Sequence, residues 1–395
     1  MKYCKKCAYP ENHPFGIIFD SNGVCSGCNV HDEKDTLDWN ERINKLHKLL
    51  DRYKNTSKNN YDCIIPVSGD KDSYYVVDII KNHFNMNPLL VSYNTHFNTL
   101  TGIRNLQNLK TKFGCDLYQQ NVNPEFAKKI VRYSLKKMGS IFWHNHAGST
   151  VFPIHIATRL NIPLIIWGLH QGVDQVGMFS HEDEVEMTRK YRKEHDLMGF
   201  EAEDLVDLED FPSEIKNDMK KYFYPTDDAI SKVALRGIYL SNYIRWDSKT
   251  QHEKMIKKYD YNTLGQIRTF NTYENVSNLL YDDIHDYIKM IKHGYSKVTD
   301  HVCQEIRLNR MSREEGVSSI NYYQKNKIRH KKLFLEWLGM DGSEFDNNLD
   351  KFRNFSEING DFEINGRTKY QNEFIVNSNE KDNPELHSFY KGLYL

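Results

Sequence analysis

Several things are missing from this 395-residue chain, and each absence removes a class of function. There is no run of about 18 apolar residues, so no membrane-spanning helix is expected. The opening Met1-Lys2-Tyr3-Cys4-Lys5-Lys6-Cys7 is basic but leads into no apolar stretch, so no secretion signal is expected. An excess of one charge is missing too. The 53 Lys and Arg stand against 54 Asp and Glu, a formal net charge of −1 at pH 7. Global attraction for nucleic acid is therefore not expected. No internal repeat is visible, and no cysteine sits in a setting that marks a glutaminase nucleophile. Charged residues at 27% and hydrophobic ones at 39% fit a globular protein long enough for two or three domains. The 25 Tyr and 20 Phe are expected mainly in core and interface packing. Seven cysteines without a secretion signal point to a reducing, cytoplasmic setting.

Four of those cysteines form two Cys-x-x-Cys pairs, Cys4/Cys7 and Cys25/Cys28. Each pair can clamp a metal from one tight knuckle, which is what a tetrahedral four-thiolate zinc site needs. Asn22-Gly23 is a hairpin signal, with Gly16 to Phe19 as the preceding strand. Four thiolates leave no open position for water, so the zinc is expected to be structural. Residues 1–35 then form a zinc ribbon, and 36–60 a linker with a helix from Thr36 to Tyr53.

The stretch Cys63-Ile64-Ile65-Pro66-Val67 reads as a buried parallel strand. It runs into Ser68-Gly69-Asp70-Lys71-Asp72-Ser73, and then into a helix beginning near Tyr74. A strand, a tight small-residue loop and a helix start make an anion site, because the first-turn N–H groups are unpaired and the macrodipole is positive there. Ser68 and Ser73 add hydroxyls and Lys71 adds charge. Strands at Pro88–Tyr93, Cys115–Tyr118 and Ile162–Gly168 alternate with helices over 102–113, 124–137 and 150–160, the pattern of a parallel α/β sheet over residues 61–205. Ligands in such sheets bind beyond the carboxyl ends of the strands. Ser68–Ser73, Asn94–His96, Gln119–Asn121 and Gly168–Gln171 are expected to converge there. His144 to Thr150 reads as a polar loop facing the same cleft, with Ser149 or Thr150 capping the next helix. His146 and, second, His170 are candidates for orienting a substrate group or handling a proton. The acid run Glu182–Glu186 reads as a solvated face, one of whose carboxylates could serve magnesium or a substrate.

From about Leu205 the alternation fades. Arg236–Ile244 is an apolar, strand-like stretch. Helices are expected over 282–292, 299–309, 312–324 and 328–338, with Ser312 and Glu315 forming a capping box. Residues 206–395 make a mainly helical region, of which 341–395 gives no clear pattern.

The loop Ser68–Ser73 resembles the SGGxDS signature of the PP-loop ATP pyrophosphatases, with Asp70 in place of the second glycine. A carboxylate there is awkward beside a polyphosphate unless it points away or shares a magnesium ion. With MKYCKKC, GVCSGC, HNHAGSTVFPIHIATRLNIPLIIWG, the RWD at Arg245–Asp247 and the stretch His285–Gly316, the chain resembles the bacterial N-acetyl sugar amidotransferases of surface-polysaccharide and flagellin-glycan biosynthesis. It departs from them after the fourth strand, where Gly168-Leu169-His170-Gln171 replaces a Gly-Glu-Asn start. The resemblance implies ATP- and ammonia-dependent conversion of an acetamido sugar into an acetamidino sugar. Ser68 to Ser73 would hold the pyrophosphate, Lys71 would neutralise it, and Asp72 would serve Mg2+. Ammonia would come from a separate glutaminase paired with a cyclase-like barrel subunit. The alternative is a PP-loop enzyme that thiolates or amidates a tRNA base.

Overall fold

The computed structural model describes residues 2–56 and 60–353. Its centre is a five-stranded sheet in the order β3-β2-β1-β4-β5. The strands are β1 (Cys63–Pro66), β2 (Pro88–Tyr93), β3 (Leu117–Gln120), β4 (Leu164–Trp167) and β5 (Arg236–Tyr239). All pairings are parallel, with Ile64 of β1 opposite both Leu89 and Ile165. The chain steps outward from β1 to β2 and β3, then crosses back to β4 on the other side of β1. Strand order therefore reverses between β1 and β4, where open sheets of this class bind ligands.

Both faces of the sheet are covered at its centre, which explains why β1, β2 and β4 read as continuous apolar runs. On one face Ile65, Leu90, Leu164 and Ile166 pack with Val76 and Val77 of α3 (Lys71–Val77) and with Leu106 and Leu109 of α4 (Leu100–Phe113). On the other, Ile64, Leu89, Val91 and Ile165 pack with Val151, Ile154 and Ala157 of α6 (Trp143–Leu160). Each such side chain contributes about 1.5–3 kcal/mol through burial. Between them in sequence, α5 (Pro124–Met138) starts on the cap of Asn123 and ends at Gly139.

One expectation is corrected here. His144–Thr150 is not a loop but the first half of α6, and neither Ser149 nor Thr150 caps it. Trp143, His144, Ala147, Gly148 and Val151 are buried at helical spacing, and that apolar stripe outweighs the polar residues between them. Gly148 is what lets the helix sit on the sheet, since a Cβ there would lie 2.2 Å from Tyr93 Cε2.

The cysteine-bearing segment has the expected turn, with antiparallel bridges Tyr3–Pro10 and Phe19–Cys25. A helix that its sequence did not announce, α1 (Ser26–Glu33), follows. Next comes α2 (Trp39–Leu50), capped by the Asp38 side chain. The segment shares a buried cluster with Val298, Val302, Cys303 and Ile306 of helix Lys297–Arg307. The strand-like stretch 236–244 is β5 followed by a 3-10 turn, Leu240–Asn242. The C-terminal region is helical, with Leu279–His293, Lys297–Arg307, Arg313–Tyr323, Lys331–Leu338 and Gly342–Asp350. The Ser312–Glu315 capping box is formed. Residues 354–395 of the unassigned stretch 341–395 lie outside the described residues. Among the described residues no helix is long and apolar enough to cross a membrane.

Candidate functional site

The strand β1 ends at Pro66, and Val67 N–H still reaches Val91 O at 2.8 Å before the chain turns. Gly69 sits at φ +88°, and a Cβ there would crowd the Leu106 backbone at 3.0 Å, so the position requires glycine. Ser73 Oγ accepts from Ser68 N–H at 3.1 Å and closes the loop on itself. Ser68 Oγ accepts from Asp70 N–H at 3.2 Å. Ser68 is exposed, whereas Lys71 and Ser73 are buried. The helix that follows, α3, continues without interruption into a π-helical turn, Asp78–His83. Its first-turn N–H groups lie at the carboxyl end of β1, beside the reversal of strand order.

The Asp70 carboxylate faces the C-terminal region. Its Oδ1 accepts from Ser277 N–H at 3.1 Å and its Oδ2 from Ser277 Oγ–H at 2.8 Å. Burial pushes the Asp70 carboxyl up, and the Ser277 bonds hold it down in part. Lys71 Nζ donates to Asp72 Oδ2 at 2.8 Å and lies 3.5 Å from Glu274 Oε1. Burial alone would lower the Lys71 ammonium, but the two carboxylates outweigh it and hold the group above the usual lysine range. Glu274 Oε2 meets His301 Nε2 at 3.0 Å, and His301 Nδ1 meets Thr269 Oγ1 at 2.6 Å. Burial works against the Glu274 charge, yet Lys71 and His301 keep its carboxyl well below the usual range. Asp72, whose side chain is 37% exposed, is the more open of the two carboxylates on Lys71.

The loops after β2 and β3 meet as the alternating pattern implies. Asn94 N–H bonds Gln120 O at 2.9 Å, and Asn94 Nδ2 donates to Asn121 Oδ1 at 2.6 Å. The two candidate histidines differ sharply. His146 is solvent-exposed on α6, yet the surrounding protein lowers its pKa by desolvation, with Asp196 raising it and Arg192 lowering it further. His170 is buried just past β4, with ring centroids of Tyr191 and Tyr239 each 4.5 Å away and neither ring nitrogen hydrogen-bonded. Burial pulls its pKa down to about 4, so the ring is neutral at working pH. His144 is buried as well, 3.1 Å from the Tyr93 hydroxyl.

The four cysteines Cys4, Cys7, Cys25 and Cys28 are buried with their sulfurs all within 4.8 Å of one another. A zinc tetrahedron with Zn–S of about 2.3 Å needs sulfurs about 3.8 Å apart. The Cys7–Cys25 and Cys4–Cys28 separations of 3.7 and 4.0 Å suit it. Cys4 Sγ accepts from the backbone N–H of Cys7 (3.4 Å) and Cys25 (3.3 Å). The buried Arg307 donates to Cys28 Sγ and Cys25 Sγ, both at 3.5 Å. A four-thiolate zinc site carries two negative charges in excess of Zn2+, and Arg307 would offset one of them. Arg307 also bonds Asp174 O and Gln175 O, in and after the short helix that follows β4. The cysteine cluster is thereby tied to the segment leading out of the sheet.

The acid run and the RWD stretch both make mainly structural contacts. In the acid run, Glu186 pairs with Arg236, and Glu184 lies 3.0 Å from Lys45. In the RWD stretch, Arg245 bonds Lys34 O, Trp246 is buried against Tyr75, and Asp247 caps helix Ser248–Tyr259 while pairing with Arg310. Sequence reasoning missed Glu274, Ser277 and His301. Ser277 lies 207 positions from Asp70, and nothing in the local spacing of these residues announces a site.

Residues 240–367 match the family model described as LPS biosynthesis protein WbpG-like, C-terminal domain. This is the part of the chain that supplies Glu274, Ser277 and His301. No curated protein matches the chain. Among solved structures, the NH3-dependent NAD synthetase from Campylobacter jejuni subsp. jejuni, in complex with the nitrate ion, is similar at 12% identity and a TM-score of 0.30. That match covers 50% of this chain and 92% of the other, and at that level it bears on neither fold nor chemistry. The family model is what ties this chain to known proteins: its C-terminal third is similar to that of WbpG-like lipopolysaccharide-biosynthesis proteins.

Proposed function

We propose that the protein is an ATP-dependent amidotransferase of surface-glycan biosynthesis, acting on the acetamido group of an N-acetyl sugar. The observation that carries this reading is the loop Ser68–Ser73 at the reversal of strand order, with Lys71 buried at its mouth. Its likeness to the PP-loop signature supports ATP as the nucleotide, and the WbpG-like match supports a glycan as the acceptor.

The acetamido oxygen is a poor leaving group as hydroxide. Attack by that oxygen on the α-phosphorus of ATP forms an O–P bond and breaks the bond to pyrophosphate. The first-turn N–H groups of α3, the hydroxyls of Ser68 and Ser73, and the Lys71 ammonium take up the charge that develops on the departing pyrophosphate. Ammonia then adds to the imidate carbon. AMP leaves with the former acetamido oxygen, and loss of a proton gives the acetamidino product. In this reading Asp72 would hold Mg2+, which when bound would neutralise phosphate charge. Asp70 is already committed to Ser277. His146, exposed near the amino end of α6, is the histidine this reading assigns to the acceptor or to the proton. His170 is enclosed by aromatic rings. The ammonia source in this reading is a separate glutaminase with a barrel subunit. The four cysteines would hold a structural Zn2+ away from the reacting atoms.

The test is product analysis. Protein, MgATP, ammonium and a panel of nucleotide-linked N-acetyl sugars should yield AMP, pyrophosphate and a sugar in which one oxygen has been replaced by NH, in equal amounts. Glutamine should replace ammonium only when a glutaminase partner is added. Release of ADP and phosphate would refute the adenylation step. ATP consumption stimulated by tRNA and not by sugar would establish the base-modifying alternative.

A further inference from the structure

The loop Ser68–Ser73 is gripped from one side by a single stretch of the C-terminal region. Ser277 takes both oxygens of Asp70, and three residues earlier Glu274 lies 3.5 Å from Lys71 Nζ. Glu274 is itself fixed. Its N–H donates to Asn271 Oδ1 at 3.0 Å, and its Oε2 is bonded to His301, whose other ring nitrogen is held by Thr269. Lys71 is buried and rests near the ring of Tyr273, 6.0 Å from its centroid. A flexible four-carbon side chain has thus been given one position before any phosphate arrives.

We infer that Glu274, oriented by His301 and Thr269, is a positioning residue for Lys71, so that the C-terminal region completes the nucleotide site. This rests on the nucleotide reading given above. The chemistry separates binding from turnover. Asp70, Asp72 and Glu274 place three carboxylates around one ammonium, a net charge that opposes a polyphosphate. Removing the Glu274 charge therefore does not weaken ground-state binding of ATP. It does release Lys71 from the geometry in which its ammonium meets the charge appearing on pyrophosphate, and misplacement of a catalytic group is felt in the transition state.

The experiment uses the full-length protein and MgATP, with binding measured by calorimetry and AMP-forming turnover measured separately. Glu274→Gln is expected to keep or tighten ATP affinity while lowering kcat by about 10- to 100-fold. In a double-mutant cycle with Lys71→Ala, the second substitution should cause little further loss, because both act through one ammonium. His301→Gln, which retains an N–H for Glu274, should lose less than His301→Ala. Wild-type kcat in Glu274→Gln, full additivity with Lys71→Ala, or a loss confined to ATP affinity would each overturn the inference. If the wild-type protein binds no ATP, the nucleotide reading itself falls. Thermal melts and circular dichroism of each variant separate misfolding from misplacement, and Glu274→Asp offers a second, carboxylate-retaining variant expected to recover part of the rate.

Discussion

The cysteine cluster and the Ser68–Ser73 loop are both short turns completed from the same helical C-terminal region, yet they are finished in opposite ways. At the cysteines every sulfur is buried, and Arg307 and Arg313 seal the knuckles, Arg313 by donating to Cys4 O and Cys7 O. At the loop, Ser68 remains exposed and Asp72 is open to solvent, while only Asp70 and Lys71 are pinned by Ser277 and Glu274. A site whose ligands are all enclosed can serve folding but not turnover. A site that fixes its charges and leaves a face open can admit a substrate. The comparison can be broken at either end.

The largest effect is expected at the closed site. Cys25→Ser should release the metal and destabilise the protein by several kcal/mol, since binding energy at a structural zinc site is folding energy. Metal analysis of freshly purified protein should give about one zinc per chain. Protein that carries no zinc and melts like the variant would undo the assignment. At the open site, Lys71→Ala should cut AMP-forming turnover by about 10²- to 10³-fold while far-ultraviolet circular dichroism stays unchanged. A collapse of the fold instead would make the two sites alike.

What the sequence disclosed and what it hid follow the same division. Both turns were legible because their chemistry is local. Two Cys-x-x-Cys pairs, and a strand running into a small-residue loop and a helix, are patterns within about 30 residues. The strands β1, β2 and β4 were legible as apolar runs for the same reason, and β3 only by its place in the alternation. The helix at Trp143–Leu160 was half hidden, because its first turns bury His144, Asn145 and Gly148, residues that usually mark loops. The closure of each site was not legible at all. Arg307 reaches Cys28 across 279 positions, and Ser277 reaches Asp70 across 207. Neither leaves a periodic or compositional trace.

Asp70 sharpens the comparison because it decides what the loop's departure from glycine means. Its carboxylate accepts two bonds from Ser277 and one from Ser68, so it acts as a strut. Asp70→Gly should therefore lower stability by about 1–3 kcal/mol, the usual cost of removing a charged hydrogen-bond partner. ATP affinity should weaken with it, as the loop loses its tie to residue 277. A gain in affinity would mean that the charge repels phosphate more than the strut helps.

The smallest effects separate the two candidate histidines, and pH is the instrument. In the unfolded chain His170 takes a proton near its ordinary value of about 6.5. In the folded protein, burial holds it to about 4. Between those values the unfolded state binds more protons, so stability falls as pH drops through that window and is fully present above it. His170 alone accounts for at most about 3 kcal/mol of that loss. His144, held to about 3 by burial, acts in the same direction. His170→Phe keeps an aromatic ring among Tyr191, Tyr239 and Phe179 and removes the proton. Urea midpoints between pH 4 and 6.5 should then change less steeply with pH than in the wild type, and midpoints at pH 7.5 should nearly coincide. His146 is exposed, so His146→Ala should shift stability at neutral pH by under about 0.5 kcal/mol. Its effect should appear in turnover with the acetamido sugar. A slope unchanged in His170→Phe would mean that the ring titrates near its ordinary value in the folded state, and would bring His170 back as the acid or base beside the cleft.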